Sequence, residues 1–177
     1  AIGSKWVYRL KTNKDGLVYK WKSRLVAKGL SEVLGQSYLA DEVYAPVCDY
    51  SSLRTMLSIA NQRGWGLYQV DISNAYLHST LPRPQYMVQP PGFERTDDDG
   101  KPYVCKLLRG LYGTKSGGYH WHRTFDEFIK SLGFAQLSGD ACFYRATTER
   151  GKIWLCIYVD DVTVAASSEE VYHWFID

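Results

Sequence analysis

Two apolar segments that flank a pair of acids decide the fold: Ile153-Trp-Leu-Cys-Ile-Tyr-Val159 and Val162-Thr-Val-Ala-Ala166, with Asp160 and Asp161 between them. Both segments are rich in β-branched and aromatic residues and have the length of buried strands. A hairpin with the two carboxylates at its tip is the simplest geometry that joins them. An ordinary turn explains the same residues, because Asp is a favoured turn residue. However, a second Asp is a poor replacement for Gly at such a tip, and adjacent anions repel each other unless a cation is near.

A third acid follows another apolar strand, Leu67-Tyr-Gln-Val70, which leads directly into Asp71. If this strand lies beside the hairpin in one sheet, Asp71, Asp160 and Asp161 meet at one edge. Carboxylate oxygens are the ligands that a hard divalent cation prefers. Two such ions are what an in-line phosphoryl transfer requires. The long stretch of chain between Asp71 and Asp160 means that spacing alone does not establish this convergence.

The N-terminal region predicts a basic two-stranded hairpin over residues 5–28. Its strands are rich in β-branched, aromatic and basic residues and flank the turn Asn13-Lys14-Asp15-Gly16. Residues two apart in a strand share a face. The second strand therefore presents one apolar face, with Trp21, Leu25 and Ala27, and one cationic face, with Lys22, Arg24 and Lys28. Such a cationic face either binds an anion or is simply solvated.

Two helices are predicted from apolar residues at helical spacing, one over residues 53–63 after Ser51-Ser52 and one over residues 121–132. A third helix is predicted near the C-terminus, where Ser167 and Glu170 have the spacing of a capping box. This order of elements predicts an α+β fold in which the helices pack on one face of an antiparallel sheet. The third helix has only about two turns before the chain ends, which we interpret as a sign of a longer polypeptide.

Composition places the chain among globular proteins. It has 177 residues, 45% hydrophobic and 23% charged, with a net charge of +2, so an acidic partner must be bound by a local basic patch. The four cysteines form no closely spaced pair, which indicates reduced thiols in an intracellular protein rather than a zinc module or a disulfide framework. No apolar run approaches the roughly 20 residues of a membrane span, so we expect no membrane partner.

Motifs along the whole chain resemble the reverse transcriptases of copia-type retrotransposons. Tyr158-Val-Asp-Asp161 resembles the Y-x-D-D motif of that family. The other matching blocks are Lys5-Trp-Val, Lys22-x-Arg24-Leu-Val-Ala-Lys28-Gly, Tyr44-Ala-Pro-Val, Gln69-Val-Asp71-Ile-x-Asn-Ala-Tyr76-Leu, Tyr86-Met-x-Gln-Pro-Pro-Gly-Phe93, Leu111-Tyr-Gly-x-Lys115 and Trp121. One segment departs from the family pattern. Where the family usually has Lys-Gln-Ala-Pro-Arg-x-Trp, this chain has Lys115-Ser-Gly-Gly-Tyr-His-Trp121.

The resemblance implies a polymerase right hand and an RNA-directed DNA polymerase. We expect fingers-like regions at about 1–66 and 80–118 and palm-like regions at 67–79 and 119–177, without thumb or ribonuclease H. The expected reaction is nucleotide transfer from a dNTP to a primer 3′-hydroxyl with two Mg²⁺ ions, or Mn²⁺. Expected partners are an RNA or DNA template, a primer strand, the dNTPs and the remainder of its own polyprotein. The family also implies a cytoplasmic location in virus-like particles, or the nucleus.

The resemblance also assigns roles to individual residues. The catalytic and metal-binding carboxylates would be Asp71, Asp160 and Asp161, with the backbone carbonyl of Ile72 as a further metal ligand. The nucleotide-binding residues would be Lys22, Arg24, Lys28, Tyr76, Tyr112 and Gly113, and the ring of Tyr76 would exclude a ribose 2′-hydroxyl. The primer or template would contact Tyr158, Val159 and Lys115. Taken without the resemblance, Tyr76 also fits a core position, and Tyr112-Gly113 also fits a purely structural turn.

Two alternative interpretations stay open at this point. The chain could be an inactive retroelement remnant that keeps the fold, which the altered segment Ser116-Gly117-Gly118 favours. It could also be a palm-like module that binds nucleic acid without chemistry. The three retained aspartates favour an active polymerase, although we expect the 177 residues alone to be poorly active.

Overall fold

The computed structural model describes residues 1–177, which form nine β-strands and three α-helices. The strands are β1 (Ser4–Thr12), β2 (Val18–Ala27), β3 (Gly66–Asp71), β4 (Gln85–Val88), β5 (Val104–Leu107), β6 (Ala135–Leu137), β7 (Asp140–Thr148), β8 (Gly151–Tyr158) and β9 (Asp161–Ala166). The helices are α1 (Tyr50–Arg63), α2 (Gly117–Ser131) and α3 (Glu169–Ile176). The predicted α+β class is confirmed. None of the helices is both long enough and apolar enough to cross a membrane.

The chain divides into two compact units. Unit 1 comprises Ala1–Tyr44 and Tyr76–Trp121, and unit 2 comprises Ala45–Ala75 and His122–Asp177. These ranges differ from the boundaries predicted after residues 66, 79 and 118, because α1 packs on β3, β8 and β9 and therefore belongs to unit 2. The identification of fingers and palm stays a prediction.

Unit 1 begins with the antiparallel hairpin of β1 and β2, as predicted. The side-chain oxygen of Asn13 accepts hydrogen bonds from the backbone N–H groups of Asp15 at 3.0 Å and Leu17 at 2.9 Å. Gly16 adopts a φ of 78°, a conformation that is costly for residues with a side chain. The turn chemistry visible in the sequence is therefore the physical cause of this hairpin.

The apolar face of this hairpin is buried only near its base. Ala27 is buried with Ile2 and Met87, and Leu25 packs against this cluster. Trp21 lies on the same face and is 79% exposed. The predicted apolar face thus contributes to a core at one end and remains open at the other.

Unit 2 is built on a five-stranded antiparallel sheet with strand order β3-β9-β8-β7-β6. The two apolar segments that flank the acidic pair form β8 and β9, which lie beside each other within the sheet. Most of their side chains are buried on both faces of the sheet. This double burial explains why both segments are continuously apolar rather than alternating.

Helices cover both faces of this sheet, so the prediction that they share one face is wrong. Met56 and Ala60 of α1 pack in one cluster with Phe143, Cys156 and Ala165. The next residue along β7, Tyr144, contacts the ring of Phe125 in α2 at a centroid distance of 6.3 Å. Successive strand residues point to opposite faces, so α1 and α2 lie on opposite sides of the sheet.

All three predicted helix starts differ from the observed ones by one to four residues. Helix α2 begins at Gly117, four residues before the predicted start at residue 121. Helix α1 begins at Tyr50, after Asp49, and therefore includes the two serines that were predicted to precede it. It ends as predicted before Gly64, whose φ is 65°. The side chain of Ser168, not Ser167, caps α3 by accepting a hydrogen bond from the backbone N–H of Val171. The hydroxyl of Ser167 instead accepts from the backbone N–H of Lys152 at 2.8 Å. A tertiary contact thus takes the residue that local sequence spacing selected as the cap.

Asp140 joins the segment before α1 to the start of β7. This buried carboxylate, 7% exposed, accepts hydrogen bonds from the backbone N–H groups of Asp49 at 3.0 Å and Cys142 at 2.8 Å. Burial by itself raises the pKa of Asp140, but the hydrogen bonds from Ser52, Cys142 and Asp49 outweigh it and hold the pKa below its usual value. The ionised form of Asp140 therefore stabilises unit 2.

We expect Asp140→Asn to lower the free energy of unfolding by about 1.5–3 kcal/mol at pH 7, since hydrogen bonds to a charged group are lost. A lowered folded-state pKa means that the contribution is complete above the unfolded-state pKa of about 3.9 and is lost as the pH falls further. Urea unfolding between pH 7 and pH 3.5 measures this difference. Glu149→Gln, at an exposed turn position, is the control and should change little. A constant gap between Asp140→Asn and the parent at every pH would contradict the assignment.

Candidate functional site

The structure brings the three predicted aspartates to one end of the sheet in unit 2. Asp71 ends β3 and pairs directly with Asp161, the first residue of β9. The backbone N–H of Ile72 donates to the backbone oxygen of Asp160 at 2.8 Å. Directly opposed residues of an antiparallel pair share a face and have Cα atoms about 4.5–5.5 Å apart. Asp71 and Asp161 therefore project from one face. Asp160 comes one residue before Asp161 in the chain.

The turn between β8 and β9 consists of Val159 and Asp160, because Tyr158 pairs with Asp161. The predicted tip, Asp160 and Asp161, is thus wrong by one residue. Val159 has a φ of 58°, a left-handed conformation that β-branched residues rarely adopt. A hairpin turn with positive φ at its first central residue usually has Gly there. The only other non-glycine residue with positive φ, Asn74, follows Asp71 by three residues, so both backbone outliers lie next to the aspartates.

The surroundings of the aspartates contain no neutralising cation from the protein. Asp71 and Asp161 are exposed and Asp160 is half-buried. The side chain of Gln69, on the same face, donates from Nε2 to Oδ1 of Asp161 at 3.2 Å. None of the ion pairs in the structure involves these aspartates. These aspartates lie at adjacent backbone positions and form no ion pair, so a cation from solution would stabilise their charges.

The donor set fits a hard divalent ion, although the side chains do not form a closed cage. No group of three or more His, Cys, Asp and Glu side chains is arranged to hold a metal ion. The backbone register nevertheless holds Asp71 and Asp161 opposite each other with Asp160 beside them. Carboxylate oxygens are the ligands that Mg²⁺ prefers. To bind a metal ion, the aspartate side chains would have to rotate, and the carboxylate of Asp161 would have to give up its hydrogen bond with Gln69.

Tyr158 lies on the same sheet face as the aspartates. It pairs with Asp161, and its side chain is 55% exposed, whereas the preceding Ile157 is buried. Val159, the other residue predicted to contact primer or template, is half-buried in the strained turn. An exposed aromatic ring beside carboxylates is an available surface for stacking of a base or sugar.

In unit 1, the hairpin carries a cationic face that is larger than predicted. Lys22 is directly opposite Arg9, and Arg24 is opposite Val7. The same face also carries cations that our sequence interpretation did not select, namely Lys5, Arg9, Lys11 and Lys20. Lys11 and Lys20 face each other, so two cross-strand pairs have like charges, which is destabilising without an anion. The alternation of basic residues along the sequence of β1 is the pattern that could have predicted this larger cationic face.

Lys28 is the first residue after the end of β2 at Ala27. Its N–H donates to the backbone oxygen of Gly3 at 2.8 Å, so the two residues are opposite each other, one step beyond the pair of Ala27 with Ser4. The Lys28 side chain lies close to Gly3, where a Cβ atom would be 3.1 Å from Cδ of the lysine. This position is compatible with the face that carries Lys22, and the role of Lys28 stays a prediction.

The glycine-containing loop of unit 1 brings Tyr112 onto Tyr76. The two rings are stacked, with centroids 4.5 Å apart and an interplanar angle of 26°. Gly113 has a φ of 89°, and a side chain there would overlap the backbone oxygen of Ala27. The predicted nucleotide-binding residues Tyr76, Tyr112 and Gly113 thus form one packed cluster in unit 1.

Lys115, predicted to contact primer or template, is engaged within unit 1. Its ammonium group donates to the hydroxyl of Tyr38 at 3.0 Å and lies 4.6 Å from the centre of that ring. Its backbone N–H donates to Oε2 of the buried Glu32 at 2.6 Å. Burial raises the pKa of Glu32, although the contacts with Lys115 lower it in part. These contacts hold the loop in place, and a nucleic-acid contact would compete with Tyr38 for the ammonium.

Comparisons with known proteins point to one family. A family model described as reverse transcriptase (RNA-dependent DNA polymerase) matches residues 1–175. The chain is similar to the retrovirus-related Pol polyprotein from transposon RE1 of Arabidopsis thaliana, with 35% identity over 99% of the chain. The polyprotein from transposon TNT 1-94 of Nicotiana tabacum is 37% identical over 93% of the chain. The transposon Ty1-MR1 Gag-Pol polyprotein of Saccharomyces cerevisiae is 27% identical over 93%.

The chain covers only a small part of each of these relatives. It spans 12% of each of the two plant polyproteins and 8% of the yeast polyprotein. No solved structure matches the chain.

The strained turn predicts an unusual response to glycine. We expect Val159→Gly to leave the free energy of unfolding unchanged or to raise it by up to about 1 kcal/mol, because relief of the left-handed strain offsets the flexibility of glycine. Val104→Gly, at an exposed position of β5, is the matched control and should lower it by about 1 kcal/mol. Urea unfolding of the chain measures both. Equal destabilisation by the two substitutions would show that Val159 is unstrained.

Proposed function

The chain belongs to the reverse transcriptase (RNA-dependent DNA polymerase) family, among copia-type transposon Pol polyproteins, and on this premise we propose that it carries out nucleotide transfer in an RNA-directed DNA polymerase. The observation that carries the proposal is the pairing of Asp71 with Asp161 beside Asp160. Within the right hand of a polymerase, unit 2 would be palm-like and unit 1 fingers-like. The residues from 45 to 66 then belong with the palm-like part.

The aspartates of unit 2 would hold the metal ions. Two bound Mg²⁺ ions, or Mn²⁺, would supply activation of the primer 3′-hydroxyl and neutralisation of the leaving pyrophosphate. Asp71 and Asp160 would provide the main oxygen ligands, Asp161 a supporting one, and the carbonyl of Ile72 a further one. The register of β3 on β9 keeps Asp71 and Asp161 opposite each other before any ion binds. The sheet would thereby preorganise the proposed site.

The cationic face of unit 1 would bind the triphosphate of the incoming nucleotide. Lys22 and Arg24 would make charge-assisted hydrogen bonds to phosphate oxygens. The pairing of Lys22 with Arg9 and of Lys11 with Lys20 supports this role, because it concentrates positive charge on the face that would meet the phosphate oxygens. Lys28, the first residue after the end of β2, would contribute its ammonium group to the same anion.

The aromatic and turn residues would contact the base, the sugar and the nucleic acid. Tyr76 would exclude a ribose 2′-hydroxyl, with Tyr112 and Gly113 completing that side of the nucleotide site. Tyr158 and Val159 would contact the primer beside the aspartates. Lys115 would reach the template if its ammonium left Tyr38. The implied partners are an RNA or DNA template, a primer, the dNTPs and the rest of the polyprotein, and phosphate contacts would make binding weaken with salt.

Primer extension by the full-length polypeptide that contains this chain tests the proposal. Asp160→Ala should lower the extension rate by at least about a hundredfold, because a metal ligand is lost. Asp98→Ala, in an exposed acidic turn, is the matched control and should extend at the parent rate. Extension that is absent in the parent, or unaffected by Asp160→Ala, would exclude the proposed activity and favour an inactive remnant or a binding module.

Dependence on the metal is a second test of the same site. A chelator should abolish extension, and added Mg²⁺ should restore it. Asp71→Asn removes one anionic ligand and should raise the Mg²⁺ concentration for half-maximal extension about tenfold or more. The titration compares the parent, Asp71→Asn and Asp98→Ala in the same buffer. An identical Mg²⁺ requirement in all three would exclude Asp71 as a ligand.

A further inference from the structure

We propose that Tyr112 is a positioning residue that orients the ring of Tyr76 and so sets the discrimination between deoxyribonucleoside and ribonucleoside triphosphates. The inference rests on the proposed polymerase function, in which the ring of Tyr76 occupies the space of a ribose 2′-hydroxyl. Discrimination of this kind depends on where the ring lies, because a shift of about 1 Å at a binding surface alters which substrate fits. A residue that fixes the ring therefore controls selectivity without touching the sugar.

The backbone of Tyr76 is fixed by its own turn of helix. Tyr76 lies in the short 3₁₀ helix Ala75–His78. Its backbone oxygen accepts hydrogen bonds from the N–H of Ser79 at 3.2 Å and from the hydroxyl of Ser79 at 2.7 Å. These bonds hold the Cα–Cβ direction, whereas the position of the ring also depends on its side-chain torsions. The stack on Tyr112, with centroids 4.5 Å apart, restrains that rotation.

Tyr112 is suited to this task because its own backbone is anchored. Its backbone oxygen accepts a hydrogen bond from the N–H of Ala27 at 2.8 Å, and Gly113 accepts one from Gly29 at 3.0 Å. Ala27 ends β2, the strand that carries Lys22 and Arg24. The orientation of the Tyr76 ring is thus tied, through Tyr112, to the end of the cationic strand.

Glycines on the other side of Tyr76 increase the importance of the stack. A Cβ atom on Gly110 would overlap the hydroxyl of Ser79 and lie 2.7 Å from the backbone oxygen of Tyr76. A Cβ atom on Gly117 would lie 3.5 Å from Cδ2 of Tyr76, which is ordinary van der Waals contact. Gly117 has no side chain to make this contact, and the stack on Tyr112 is a direct contact with the ring.

The test measures selectivity in the full-length polypeptide. Single-nucleotide primer extension gives kcat/KM for a dNTP and for the matching rNTP, and their ratio is the discrimination. The variants are Tyr112→Leu, which keeps bulk but removes the stack, and Tyr112→Phe, which keeps the stack. Tyr86→Leu, at an exposed position of β4 in the same unit, is the control. We expect Tyr112→Leu to lower the ratio about 2- to 12-fold, the range that one aromatic pair accounts for.

The readout is the ratio of the two kcat/KM values, because Tyr112 also belongs to the proposed nucleotide site and its replacement alters both values. The ratio should fall because kcat/KM decreases less for the rNTP than for the dNTP. Tyr112→Phe and Tyr86→Leu should keep the parental ratio. A parental ratio in Tyr112→Leu with intact dNTP incorporation overturns the inference and leaves the proposed function standing. An equal loss of discrimination in Tyr112→Phe, or loss of dNTP incorporation in either Tyr112 variant, also overturns it. A parent that incorporates no dNTP overturns the proposed function and this inference together.

Discussion

The antiparallel register of β3 on β9 is the constraint on which the candidate site depends. It places Asp71 directly opposite Asp161, against the repulsion of their charges, with Asp160 adjacent in the turn. The sheet can impose this register because β8 and β9 are buried between helices on both faces. A slip of one residue would move every apolar side chain of a strand to the other face. Burial of the core thus holds the acids together.

Both units contain local arrangements that are unfavourable in the protein alone. Unit 2 has three aspartates at neighbouring backbone positions and a valine at positive φ in the turn that carries one of them. Unit 1 has the like-charge pairs Arg9 with Lys22 and Lys11 with Lys20. Stable packing elsewhere offsets these costs. The two clusters carry opposite charges, which is the physical basis of the proposed metal site in unit 2 and triphosphate site in unit 1.

Local chemistry predicted those elements whose cause is local. The first hairpin follows from Asn13 and Gly16, and the end of α1 follows from Gly64, because turn and cap geometry depends on a few neighbouring residues. Predictions failed where a distant contact competed. The hydroxyl of Ser167 accepts a hydrogen bond from Lys152, and Ser168 instead caps α3. The sequence also did not predict that helices cover both faces of the sheet, because apolar segments alone do not show which helix lies on which face.

By itself, the sequence determined the α+β class, the basic hairpin and the acidic hairpin, since each follows from the pattern of residues in a short stretch of chain. Only the tertiary structure decided that Asp161 rather than Asp160 pairs with Asp71, that Val159 bears the strain of the turn, and that Tyr112 stacks on Tyr76. These features join residues far apart in the chain. Their geometry is set by strand register and close glycine contacts, which depend on the packing of the whole unit and leave no local pattern in the sequence.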